Sequence, residues 1–106
     1  MNETKFYIYL GDKFTDRLRI WFFASKGKIK DLVVQYESLL NDKWTPVVRY
    51  DCAHGFFHRD VKKPDGSQEK KAIEVTDLNF AFVFARQDIE DKWEWYLEQY
   101  LKQIKK

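Results

Sequence analysis

The chain has 106 residues and a formal net charge of +2, with 44% hydrophobic, 34% charged and 18% aromatic residues. That length suits one domain with a sizeable core and leaves no room for a second. The composition excludes a disordered chain, and the near-neutral balance excludes a general polyanion sponge, so nucleic-acid contacts have to come from local charge.

A single cysteine cannot form an internal disulfide, which points to a reducing compartment. No apolar run approaches the length of a membrane span, and the opening MNETKFYIY lacks the order of a signal peptide. The expectation is a cytoplasmic protein with no membrane contact.

Lys5–Leu10 is short and aromatic and reads as a strand, closed by a turn at Gly11-Asp12. From Arg17 to Ala24, Leu18, Ile20, Phe22 and Ala24 share one side, while Arg17, Arg19, Trp21 and Phe23 share the other. This is a strand apolar on one face and mixed on the other. Ser25-Lys26-Gly27-Lys28 makes a hairpin turn in which Gly27 can take positive φ. Ile29–Leu40 follows, with Leu32, Val34 and Tyr36 opposed to Val33, Gln35 and Glu37. After a turn at Asn41-Asp42-Lys43, Trp44–Asp51 sets Trp44, Val48 and Tyr50 against Val47, Arg49 and Asp51. Pro46 cannot donate to a ladder, so its place is an edge, a bulge or a strand start. Beyond Gly55, Phe57–Lys62 and Gln68–Val75 flank Pro64-Asp65-Gly66 and form a second, charged hairpin. Its tip carries Lys62, Lys63, Lys70 and Lys71, a candidate RNA-binding cluster or a solvated hairpin.

Thr76-Asp77-Leu78-Asn79 offers N-cap residues for a closing helix. Phe82, Ala85, Ile89, Trp93, Tyr96, Leu97, Tyr100 and Ile104 then form one stripe at steps of three and four. At 1.5 Å per residue such a helix reaches ~42 Å, so a break near Gln87-Asp88 is plausible. Leu78, Phe80, Phe82 and Phe84 also alternate as a strand does; helix is the preferred reading. Phe80 and Phe84 are expected to be buried, and Trp95 to face a partner.

Arg49–Asp60 reads RYDCAHGFFHRD and holds both histidines and the only cysteine. Histidine gives and takes protons near neutrality, and arginine forks match phosphate oxygens. Cleavage of RNA through its own 2′-hydroxyl needs a base, an acid and cations on the phosphate. His54 and His58 are candidate acid and base, Arg49 and Arg59 candidate phosphate ligands, and Asp51 and Asp60 their orienters. A metal is the weaker reading, because His54 and His58 on an extended segment stand ~13 Å apart, although a turn at Gly55 could bring them together with Asp51 or Asp60. No metal and no cofactor is therefore expected. Cys52 as a nucleophile beside His54 is weaker still, a lone small cysteine usually being packing.

The RYDCAHG and FHRD segments resemble the Arg-Tyr-Asp-x-Ala-His-Gly and His-Arg motifs of the TumE-like toxins of prokaryotic toxin–antitoxin modules. The Pro-Asp-Gly hairpin and Ala85, Asp88-Ile89, Trp93 and Tyr96 look similar too, and the likeness spans about residues 44–100. It implies a toxin-like component with a cognate antitoxin as partner and RNA or the translation machinery as target. Arg49, Asp51, His54, His58 and Arg59 are the positions it carries over. Cys52 stands where such sequences often have Asn, and Arg59-Asp60 where many have a further His.

The resulting expectation is an α+β fold: a curved antiparallel sheet of five to six strands over about residues 5–75, with a helix over about 77–105 packed across one face. The expected function is a toxin-like, metal-independent endoribonuclease or RNA-targeting protein. A non-catalytic RNA- or protein-binding module, a metal-dependent nuclease and a purely structural protein are the rivals, and self-association is left open.

Overall fold

The computed structural model describes residues 2–104, the side chain of His54 excepted. Lys105, the end of the expected helix, and the imidazole of His54 therefore lie outside the described residues. Six strands form one antiparallel meander: β1 (Asn2–Tyr9), β2 (Asp16–Ser25), β3 (Lys28–Leu40), β4 (Lys43–Asp51), β5 (His58–Lys62) and β6 (Gln68–Ala72). One helix, α1 (Leu78–Lys102), closes the fold and makes it α+β. No helix among the described residues is long and apolar enough to cross a membrane.

Turn chemistry sets the register. Lys26 and Gly27 at φ 53° and 77°, and Asn41 and Asp42 at 51° and 63°, supply the consecutive positive values that tight hairpins on twisted strands need. Pro46 lies where the β3–β4 register shifts, with Glu37 opposite it and Tyr36 opposite Val48. β5 pairs β4 only over Val48–Asp51, so the missing N–H of Pro46 interrupts no ladder with β5.

One face of the sheet carries Leu18, Ile20, Leu32, Val34, Tyr36, Val48 and Tyr50, all buried. Ala81, Ala85, Ile89 and Tyr96 of α1 pack onto that face, the small alanines letting the helix approach closely. Full burial of each Leu or Ile contributes about 1.5–3 kcal/mol. Phe22 meets Phe82 edge-on at 5.4 Å, and Tyr50 stacks on Phe57 at 5.4 Å.

α1 runs unbroken, contrary to the break considered at Gln87-Asp88. Asp77 caps it by accepting the Phe80 N–H, and Gln87 donates to Asp91 one turn on. Twenty-five residues reach ~37 Å, which fits along a molecule 49 Å in its longest dimension. Asn79 fixes the helix start to the β2–β3 turn, accepting from Ile29 N and donating to the Gly27 carbonyl. Phe80 and Phe84 correct the burial expectation: they are 55% and 37% exposed, because a single helix on a sheet has only one covered side. Trp95 is also exposed.

Candidate functional site

Among the described residues no element covers the face opposite α1, and strand register aligns its side chains in two rows. The first row crosses all six strands as Tyr7, Arg19, Gln35, Arg49, Asp60 and Lys70, each opposite the next. The second runs as Lys5, Trp21, Val33, Asp51, His58 and Ala72. Because side chains alternate along a strand, both rows lie on the same open surface.

A chain of charged hydrogen bonds links them. Arg17 and Arg19 donate to the two oxygens of Glu37 at 2.9 and 3.2 Å, and Gln35 Nε2 donates to Glu37 Oε2 at 2.7 Å. Arg49 donates from Nη1 to Gln35 Oε1 at 3.2 Å and from Nε to Asp51 Oδ2 at 2.5 Å. The carboxylates of Glu37, Asp51 and Asp60 are buried, whereas the side chains of Arg19 and Arg49 are 43% and 30% exposed. Negative charge thus lies at the floor and guanidinium edges lie toward solvent. Arg17 is sandwiched between the rings of Tyr7 and Trp44, at 4.2 and 3.8 Å.

Between these rows a hollow of about 460 Å³ is lined by Glu3, Lys5, Tyr7, Arg19, Trp21 and Arg49, with Glu3 accepting from Trp21 Nε1 at 3.0 Å and lying 3.8 Å from Lys5 Nζ. Tyr9 and Phe14, also exposed, extend the aromatic surface beyond it, 5.5 Å apart edge to face.

Asp51 and His58 stand opposite each other where β4 and β5 meet. His58 is fully buried; Nδ1 lies 3.1 Å from the Phe56 carbonyl, and Nε2 lies 2.8 Å from Asp51 Oδ1 and 3.5 Å from Asp60 Oδ2. Burial alone would raise the Asp51 carboxyl, but Arg49, the Ala53 N–H and His58 outweigh it and hold it below the usual carboxylate range. Burial, helped by the charges of Asp31 and Asp51, pushes the Cys52 thiol up to about 11, so at neutral pH it is no thiolate nucleophile.

Of the residues singled out from sequence, Arg49, Asp51, His58, Asp60, Lys62 and Lys70 share the open face. His54 belongs to a 3-10 turn, Ala53–Gly55, and its imidazole lies outside the described residues. Arg59 is not brought together with them. It points to the helix side, where Nη1 donates to the Tyr96 hydroxyl at 3.3 Å. Lys71 is paired with it in register, and Lys63 follows on the same side, so the lysine cluster divides between the two faces. There a second hollow, of about 750 Å³, includes Arg59, Lys71, Lys92 and Trp95.

Sequence reasoning passed over Lys5, Tyr7, Arg19, Trp21 and Gln35. The signal was the mixed face of Arg17–Ala24: two arginines and a tryptophan at alternate positions on a face that no apolar partner claims.

Over residues 1–106 the chain matches the family model described as Domain of unknown function (DUF7718). No curated protein and no solved structure matches it.

Proposed function

The chain belongs to the DUF7718 family, and we propose that it is an RNA-binding protein that takes single strands on the helix-free face of its sheet. The observation that carries this reading is the hollow in which Trp21 and Tyr7 stand beside Arg19 and Arg49, with Glu3 at its rim occupied by Trp21 Nε1 and Lys5. Unstacked bases lie on aromatic planes whatever their identity, and neighbouring cations follow the backbone. A duplex keeps its base faces stacked and offers nothing to Trp21. The buried Glu37 and Asp51 hold the guanidinium groups in place, so little side-chain freedom is left to lose on binding.

Binding, rather than metal-free cleavage, is the function favoured here. His58 is sealed from solvent with Nδ1 on a backbone carbonyl, which is a poor position for exchanging protons with a 2′-hydroxyl. A toxin-like role with a cognate antitoxin is supported by the likeness of the Arg49–Arg59 segment and belongs to the same proposal: a protein that occupies RNA without cutting it.

The test is fluorescence anisotropy with a labelled single-stranded oligoribonucleotide across a salt series. Exchanging both Arg19 and Arg49 for Ala should weaken binding at least tenfold and flatten the salt slope, by ~0.7 for each phosphate that is no longer neutralised. The labelled strand should stay intact on a denaturing gel. Unchanged affinity in the double variant would overturn the reading.

A further inference from the structure

We infer that Asp51, His58 and Asp60 form a binding site for one divalent first-row transition cation, for which Zn²⁺ is the probe. The site lies beside the RNA-binding hollow and shares Arg49 with it, but it is tested by the metal alone and does not rest on RNA binding.

Three observations converge. First, one ligand atom from each of the three side chains lies within 4.8 Å of the others, and all three residues are buried. Ligands at 2.0–2.1 Å around a tetrahedral ion stand ~3.3 Å apart. His58 Nε2 is already 3.5 Å from Asp60 Oδ2 and 2.8 Å from Asp51 Oδ1, so small side-chain rotations suffice.

Second, the ring is oriented. Its Nδ1 lies against the Phe56 carbonyl and its Nε2 points at two carboxylates, all of which accept hydrogen bonds, an arrangement that needs a positive charge on the ring or between it and the carboxylates. A ring N–H given to a backbone carbonyl, with carboxylates that are themselves hydrogen-bonded, is how metal-ligating histidines are commonly held. Asp51 meets the same condition, accepting from Arg49 Nε and Ala53 N.

Third, Asp60 is 4% exposed, yet its Oδ1 has no hydrogen-bond partner among the described residues. The nearest positive charge is Lys70, with Nζ 3.7 Å from that oxygen and 3.3 Å from His58 Nε2. The ammonium marks where a cation belongs. Its flexible stem is on the edge strand β6 and is 38% exposed, so it can swing outward when an ion enters. One imidazole and two carboxylates favour Zn²⁺ or Mn²⁺ over the all-oxygen preference of Mg²⁺ and Ca²⁺.

The experiment is calorimetric titration of the metal-stripped full chain with Zn²⁺, with circular dichroism to establish that each variant is folded. The wild type should take up one equivalent. Asp60→Asn, which keeps shape but removes a charged ligand, should weaken uptake at least tenfold. Lys70→Ala, which removes the competing cation from an exposed strand, should tighten it at least tenfold. Folded wild type and folded Lys70→Ala that both fail to bind would overturn the site and leave an imidazolium or Lys70 as the neutralising charge. So would uptake that survives Asp60→Asn.

Discussion

Arg49 stands opposite Gln35 in the β3–β4 ladder and donates from Nη1 to its Oε1 at 3.2 Å. This contact joins the two halves of the open face. On one side are the arginines and rings of β1 and β2, and on the other the Asp51–His58–Asp60 corner. Arg49 therefore serves both halves, since its Nε also donates to Asp51.

Arg49→Ala should accordingly lose stability as well as RNA affinity. It strips Asp51, 6% exposed, of its charged donor, at a cost of about 1.5–3 kcal/mol by comparison with other hydrogen bonds to charged groups. Arg49→Lys should restore part of the RNA affinity but little of the stability, because an ammonium cannot bridge Gln35 and Asp51 as the fork does. Urea unfolding of the two variants measures this; equal stability in wild type and Arg49→Ala would contradict it.

On the covered side, Tyr50 and Tyr96 both donate to Asp88 Oδ2, at 2.7 and 2.5 Å, and the Tyr50 bond fastens β4 to the helix. Tyr50→Phe removes one donor while keeping the ring that stacks on Phe57. The expected cost is about 0.5–1.5 kcal/mol, rising toward 3 because the acceptor is charged. The midpoint of urea unfolding should fall with no change in slope.

The same tyrosines set the alkaline limit of the fold. Burial, then the hydrogen bond to Asp88 and its charge, pushes Tyr96 up to about 12 from the ordinary tyrosine value of 10.0. The same causes raise Tyr50 further, as burial and Asp16 raise Tyr36. The folded state holds these protons more tightly than the unfolded chain does. Their contribution is thus fully present below pH 10 and is lost as pH rises from there through the folded values. Thermal unfolding followed from about pH 8 to 12 should show a falling midpoint above pH 10; a flat profile would contradict these hydrogen bonds.

Much of the fold was legible because alternation and turn residues are local signals. Leu18–Ile20–Phe22 against Arg17–Arg19–Trp21 already separated the covered face from the open one, and Asn41-Asp42 marked its own hairpin. What alternation cannot supply is register across strands. It placed His58 with Asp60, and Arg49 with Asp51, but not Asp51 opposite His58 or Arg19 in line with Arg49. For that reason the corner was legible as a group, whereas the arginine–tryptophan hollow, made of residues far apart in the chain, was not. Arg59 shows the converse: its neighbour His58 made it look part of the corner, yet one step along a strand reverses the face. Phe80 and Phe84 misled for a different reason, since apolar character says nothing about how many helices or sheets are present to cover a side chain.

On the proposed reading RNA lies on the open face and not in the groove beside the helix. Trp21 and Trp95 separate the two, because they stand beside hollows on opposite sides of the sheet. Stacking of one base contributes about 1–3 kcal/mol, so Trp21→Ala should weaken binding of a single-stranded oligoribonucleotide by roughly tenfold or more. Trp95→Ala should leave the anisotropy titration within about twofold of wild type. Reduced affinity in Trp95→Ala with no change in Trp21→Ala would move the RNA to the groove beside the helix and contradict binding on the open face.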